Sequence, residues 1–489
     1  MTVAGIDLGT SGVKVLLADE HEQILAEANT RISTLRHHPG WSEQNPLDWV
    51  HAIASCFEDL KQRVPKALAE VRGIGLSGHM LGPVLIDQAD LPVRPTLLWN
   101  DERSTAECQL LLERVPDLGM RANGTPDPGM GAPKLLWLAH HEPEVIRRAD
   151  CVLLPKDYVR LWLTGDRASE PSDAAGLMLL DCATGRWDAA LCEAAGWPQR
   201  KLPPLENSWG AAGGLRSALA RAWGMKSGVP VAAGVGYNMF CSLGVGAASS
   251  GDTVISIGTS AVTCVVASEF RPAPEIAVMT SAHVVPKAFL SMGVVMSATA
   301  TVDWLSELTQ TPIPTLEAEA QEVSRSLHQE APPLMRPHFS GIRTPHNLPG
   351  VRGTVNGLSL TTTRGMLMWS AMEGVAFQVY ECLLAQQGAG VSMEEVRMVG
   401  GGAQSLLWCE MIASLLERPV VLTKHREFAA SIGAARLAMA ASGGDLKSVL
   451  FAKRPVEYQI EPRPELREFL LQRFQQFLEM LPKNPETTE

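Results

Sequence analysis

No C-x-x-C pair occurs among the nine cysteines (Cys56, Cys108, Cys151, Cys182, Cys192, Cys241, Cys264, Cys382, Cys409), and their number is odd. That pattern fits a reducing, cytoplasmic setting better than a disulfide framework. No lysine or arginine run interrupts a net charge of -11, which argues against a nucleic-acid partner. A small anionic ligand would then need local donors rather than a global field. No charged leader precedes an apolar stretch, and Val3 to Leu8 reads as a strand. The longest charge-free run, Ser227 to Gly251, holds Pro230, Asn238 and six glycines, so it cannot make a good lipid-facing helix. It reads instead as a buried strand, a glycine turn and a packed helix, and no membrane partner is expected. The His37-His38 and His140-His141 pairs lack partners at metal-ligand spacing.

What the chain does have is a repeat. Asp7-Leu8-Gly9-Thr10-Ser11-Gly12, followed by Val13 to Ala18, is echoed by Ser256-Ile257-Gly258-Thr259-Ser260, followed by Ala261 to Ala267. Each copy is a β-favouring run, a small Gly-Thr-Ser turn and a second β-favouring run, as a hairpin reads. Turns of glycine and small hydroxyl residues let a polyphosphate approach the backbone and receive N–H and O–H hydrogen bonds. Two such turns half a chain apart suggest two related domains closing on one nucleotide, and 489 residues exceed the usual size of a single core.

Strand and helix patterns alternate through both halves, which points to α/β layers. Expected helices cover 46–64, 104–113, 132–140, 157–164, 363–387 and 405–416, and a last one runs between Pro464 and Pro482. Strands are expected at 71–76, 84–86 and 396–399, with 30–45 as loop and a disordered tail from Asn484.

Asp7 stands directly before the first turn, where a carboxylate could hold Mg²⁺ while the turn holds phosphates. Gly400-Gly401-Gly402-Ala403 lies between a strand and a helix, a usual resting place for a nucleotide group at a helix N-terminus.

With IDLGTSGVKV at the start, GWSEQNPLDWV at 40–50, WNDERS at 99–104, APKLLW at 132–137, LLPKDYVRLWLTG at 153–165 and SDAAG at 172–176, the chain resembles the FGGY family of carbohydrate kinases. SIGTS at 256–260, SGIRTPH at 340–346, EGVAF at 373–377 and GGGAQS at 400–405 continue the match, which within the family is to bacterial xylulose kinases. The resemblance implies two actin-like (ribonuclease H-like) domains, 1–243 for the sugar and 244–489 for the nucleotide, with the cleft between them. It implies ATP and Mg²⁺ as cofactors, a small sugar as the other ligand, and is compatible with a homodimer. On the nucleotide side it places Asp7 (metal), Gly9, Thr10, Ser11, Gly258, Thr259, Gly401, Gly402 and Ala403. On the sugar side it places His79, Met80, Leu81, Trp99, Asp101 and Asn238.

Three departures fall within the matched motifs. Tyr237 stands where xylulose kinases have the aspartate that takes the proton from the attacking sugar hydroxyl. Leu81 replaces a sugar-contacting histidine, with His79 two positions earlier, and Ile342 replaces a glutamate. A phenol with a pKa near ~10 is a poor base at neutral pH. The expected activity is therefore ATP-dependent phosphorylation of D-xylulose to D-xylulose 5-phosphate, impaired at the base unless His79 or Asp101 substitutes. The alternatives are a nucleotide-binding pseudokinase and a kinase for a different polyol.

Overall fold

The computed structural model describes residues 1–327 and 330–481, so the tail expected from Asn484 lies outside the described residues. Two seven-stranded sheets organise the chain. The first contains β1 (Thr2–Leu8), β2 (Gly12–Asp19), β3 (Ile24–Arg31), β4 (Val71–Gly78), β5 (Ala211–Gly214), β6 (Pro230–Ala232) and β7 (Val235–Gly236), in the order β5-β6-β4-β1-β2-β3 with β7 also on β4. The second contains β8 (Thr253–Ile257), β9 (Ala261–Ala267), β10 (Met279–Ala282), β11 (Phe289–Val295), β12 (Val396–Val399), β13 (Val420–Thr423) and β14 (Val456–Ile460), in the order β10-β11-β9-β8-β12-β13-β14.

The repeat in sequence is a repeat in topology. β1 pairs antiparallel with β2 and parallel with β4, and β8 likewise pairs antiparallel with β9 and parallel with β12. Leu8 faces Val13 across the first turn and Ile257 faces Ala261 across the second, which is one residue tighter.

Six helices matter for the site: α1 (Pro46–Arg63), α2 (Tyr237–Val245), α3 (Arg364–Gly388), α4 (Leu406–Leu416), α5 (Ala429–Ala441) and α6 (Pro464–Glu479). Asn45 caps α1 by accepting from the Leu47 amide at 3.1 Å, with Pro46 at the first helical position. α6 buries Leu466, Leu470, Phe474 and Phe477 along one face, as the spacing predicts.

Two helices fill the space between the sheets. α5 comes from the second half of the chain yet lies against β1 and β4 of the first sheet, and a Cβ at Gly75 would sit 1.8 Å from the Ala434 carbonyl oxygen. A Cβ at Gly244 of α2 would likewise sit 1.8 Å from the Ala429 carbonyl oxygen, so α2 and α5 cross backbone to backbone. Small residues are what permit that approach. The 243/244 division expected from sequence thus falls inside α2.

The segment 30–45 is largely irregular, as expected, with strand residues at its two ends. Thr30 and Arg31 end β3, an edge strand with much of its length exposed, and Glu43–Gln44 pairs with Thr96–Leu97.

Candidate active-site cleft

Asp7 is the last polar residue of β1. Lys14 faces it across the hairpin and Ser77 faces it from β4. One carboxylate oxygen, Oδ1, is buried with no hydrogen-bond partner. Burial pushes the Asp7 carboxyl up to about 6, against the pull of the Ser77 hydroxyl and of Lys14. An orphaned oxygen on a carboxylate that resists ionisation alone suits a divalent cation, which would hold it ionised. Among the described residues no group of three or more His, Cys, Asp or Glu side chains could hold a metal. A cation here would therefore take its other ligands from phosphates and water, as Mg²⁺ commonly does.

Both Gly-Thr-Ser turns are closed by backbone hydrogen bonds, Gly9 N–H to the Gly12 carbonyl and Gly258 N–H to the Ser260 carbonyl, each at 2.9 Å. The first turn is braced from outside: the Trp99 indole donates to Thr10 Oγ1 at 3.0 Å and Gln44 donates to the Thr10 carbonyl at 2.6 Å. The Ile32 amide donates to the Ser11 carbonyl at 3.0 Å. The second turn accepts from the amides of Ala298 and Thr299 at 2.8 and 2.9 Å, through the Thr259 and Gly258 carbonyls. The glycine turn 400–403 packs beside it, since a Cβ at Gly402 would lie 2.3 Å from Ile257 Cγ2. Gly401 has open space where a Cβ would stand, and Ala403 is buried. Next to this turn lies a cavity of about 530 Å³ lined by Gln404, Lys424, His425, Arg426, Glu427, Glu457 and Tyr458. The expected nucleotide-side residues of the second half thus converge.

On the other side, Met80, Gly236 and Asp173 meet: a Cβ at Gly236 would lie 2.6 Å from Met80 Cε and 3.2 Å from Asp173 Oδ1. Leu81 follows with a left-handed φ of 78° and packs on Gly176. That φ overturns the expectation that His79 could stand in for Leu81. An extended segment would put the two on one face, but the left-handed residue breaks the alternation. His79 instead sits buried beside Trp49, ring centroids 5.2 Å apart, with both ring nitrogens unpartnered. Burial, with Lys134 nearby, lowers its pKa to about 3, so the imidazole is neutral.

Asp101 is fully buried and its oxygens are taken by Arg103 at 2.7 and 2.8 Å and by the Ser42 amide at 2.7 Å. Arg103 in turn stacks 3.5 Å from the Trp41 ring. Trp99, expected on the sugar side, spends its indole N–H on Thr10. Asn238 reaches across to Met292 Sδ of the second sheet at 3.6 Å. Ile342 is buried and pairs with Leu348, while the adjacent Arg343 bridges to Asp127 at 2.6 Å.

Tyr237 opens α2. It is surrounded by protein yet 37% exposed, the position of a residue on a cleft floor. Cys241 lies one turn on, and Ser256 Oγ donates to Cys241 Sγ at 3.8 Å. The negative charge that Cys241 would carry, burial and the Asp7 carboxylate all push the phenol well above its ordinary value. It cannot serve as a base near neutrality.

A buried charge cluster flanks the sugar side and was not singled out from sequence. Lys156 Nζ lies 2.6 Å from Asp157, 3.4 Å from Asp173 and 3.5 Å from Glu170, all fully buried. Glu170 accepts from the amides of Ser172 and Asp173 and from the Ser172 and Ser208 hydroxyls. Both oxygens of Asp173 lack a hydrogen-bond partner, and burial pushes its carboxyl up to about 8 despite Lys156. The SDAAG motif was the available signal; the burial was not readable.

A raised carboxyl takes up a proton on folding, so its contribution is full below the ordinary value of 3.8 and is lost as pH climbs towards about 8. Asp173→Asn should flatten that part of the fall in melting temperature. Melting curves across this range for both proteins would check it, and equal slopes would refute it.

Among the described residues no helix is long and apolar enough to cross a membrane. Residues 2–244 match the N-terminal domain, and residues 253–442 the C-terminal domain, of the FGGY family of carbohydrate kinases. The chain is 36% identical over 455 residues to the xylulose kinase of Escherichia coli (strain K12), covering 93% of each chain. It is 34% identical to the xylulose kinase of Bacillus subtilis (strain 168), covering 90% of this chain and 88% of that one. A crystal structure from Brucella ovis, described as a xyloylose kinase, superposes with a TM-score of 0.92 at 37% identity, covering 99% of both chains. With both halves matched in sequence and the whole matched in shape, the chain belongs to the FGGY family of carbohydrate kinases.

Proposed function

We propose that the protein phosphorylates a ketose from ATP, with D-xylulose as acceptor and D-xylulose 5-phosphate as product, and that Tyr237 holds this activity low. The observations that support the reading are the packing of the Gly400–Ala403 turn against Ile257 at the Gly258–Ser260 turn and the orphaned Asp7 oxygen directly before the first turn. The relatives' names support xylulose as the acceptor.

In this reading the turn amides and hydroxyls hold the polyphosphate. The cavity beside Gln404 takes the rest of the nucleotide, and Asp7 holds Mg²⁺, which would neutralise charge on the phosphates. The sugar lies against Met80, Leu81 and Asn238, with Trp99 and Asp101 supporting the wall through Thr10, Arg103 and Ser42. The buried His79 imidazole, its pKa lowered to about 3, is a poor base, and the Asp101 oxygens are taken by Arg103 and the Ser42 amide, so neither replaces the missing base. Transfer passes through a loose transition state in which positioning counts most, so slow turnover survives without a base. Action as a soluble cytoplasmic enzyme, alone or as a homodimer, belongs to the same reading. The phenol on the cleft floor favours one alternative, a nucleotide-binding pseudokinase.

The test is ADP release from MgATP with and without D-xylulose, beside a thermal shift. MgATP should raise the melting temperature where AMP does not, and D-xylulose should speed ADP release slightly. A shift without sugar-dependent release would select the pseudokinase. No shift at all would refute both.

A further inference from the structure

Tyr237 has a chemistry that the loss of a base does not exhaust. It is a hydroxyl residue on the first turn of a nine-residue helix, α2, whose capping residue Gly236 offers no side chain to the first-turn amides. From Met239 to Val245 every residue of that helix is buried, whereas Tyr237 keeps 37% of its surface open. One turn on along the same helix face, Cys241 Sγ accepts from Ser256 Oγ at 3.8 Å, two residues before the Gly258 turn. On the other side, Gly236 of β7 pairs with Gly78 of β4, and Gly78 pairs with Leu8 of β1, so Tyr237 and the first turn leave the sheet at the same end, next to Asp7. Tyr237 therefore stands between the two hairpin turns.

A phenol also reaches further from the backbone than a carboxylate would. It places an O–H, the same functional group as a sugar's, in the space where a polyphosphate between the turns would end.

We propose that Tyr237 is itself a phosphoryl acceptor: with MgATP bound and no sugar in the cleft, its phenol oxygen takes the terminal phosphoryl group. This rests on the nucleotide half of the function proposed above. The bond from Tyr237 Oη to the γ-phosphorus forms and the bond from that phosphorus to the β,γ-bridging oxygen breaks. ADP leaves with the electron pair, and the phenol proton passes to a phosphoryl oxygen and then to water. A loose transition state asks little charge of the nucleophile, so a neutral phenol suffices. The product phosphate would lie near uncapped first-turn amides, which favour an anion. It would also occupy the sugar side of the cleft and silence transfer to sugar.

The experiment uses the full-length chain, phosphatase-treated and then incubated with MgATP without sugar. Intact-mass spectrometry should show the gain of one phosphoryl group, fragmentation should place it on Tyr237, and about one equivalent of ADP should appear. Tyr237→Phe keeps the ring and should abolish the gain. The proposal is overturned by a label on another residue, by a label that persists in Tyr237→Phe, or by no gain while MgATP still raises the melting temperature. Absence of that rise would remove the nucleotide reading along with it.

Discussion

Tyr237→Asp should raise D-xylulose-dependent turnover by about 10²–10⁴-fold, the usual worth of a general base. The rest of the cleft is arranged for the reaction: the two turns are closed and braced, Asp7 keeps one oxygen free, and Met80 packs against Gly236. Of the three departures, Tyr237 is the one that removes the group that should receive the sugar proton. Aspartate at this position would open α2 with a carboxylate on its first turn, where the helix dipole favours negative charge. It is also smaller than tyrosine, so the same change opens the sugar side. Steady-state ADP release with saturating MgATP checks this, reading kcat apart from KM. A gain confined to KM would mean that Tyr237 only blocks space. No gain in either, with the natural protein turning over, would mean that the base lies elsewhere. The companion variant Tyr237→Asn separates the two effects, since it opens the space without supplying a base and should recover far less turnover.

The repeat, the two sheets and the nucleotide-side turns were legible because each depends on local spacing. A hairpin with a Gly-Thr-Ser turn announces itself within twelve residues, and β12 with the Gly400 turn and α4 reads as strand, turn and helix in order. The sugar side was less legible because it depends on how distant segments meet. Nothing in Gly78-His79-Met80-Leu81 shows that Leu81 adopts a left-handed φ or that His79 packs in the core beside Trp49. Asp101 looked available beside Asn100, but Arg103 two residues on folds back to occupy it. The Lys156 cluster gathers residues from 156 to 173 around one ammonium, and only burial distinguishes it from ordinary surface charge. The crossing of α5 onto the first sheet was also hidden, since its alanines and Gly433 carry no mark of their partner strands.

Arg473→Leu should destabilise the chain by about 3–5 kcal/mol, the range for breaking one side of a buried ion pair. Arg473 of α6 meets Glu373 of α3 through two contacts of 2.6 Å, and Glu373 is fully buried. Burial raises the Glu373 carboxyl and the guanidinium pulls it back. Without Arg473 the carboxylate must stay charged in an apolar setting or take up a proton, and either course costs stability. Denaturant unfolding at neutral pH reads the loss, and a variant within about 1 kcal/mol of the natural protein would contradict it, since that is the scale of an exposed pair. The double variant Glu373→Leu/Arg473→Leu separates two causes. If an orphaned charge is responsible, the double variant should be more stable than Arg473→Leu alone, because a buried pair exchanged for apolar groups is often neutral. If loss of the guanidinium contact over the Phe469 ring is responsible, the double variant should be no better than the single one. The outcome also bears on the cleft. α3 receives the Trp408 indole of α4 at the Met372 carbonyl, 2.9 Å away, and α4 begins directly after the Gly400–Ala403 turn. Loosening α6 from α3 should therefore weaken the MgATP thermal shift, whereas Tyr237→Asp should leave that shift intact.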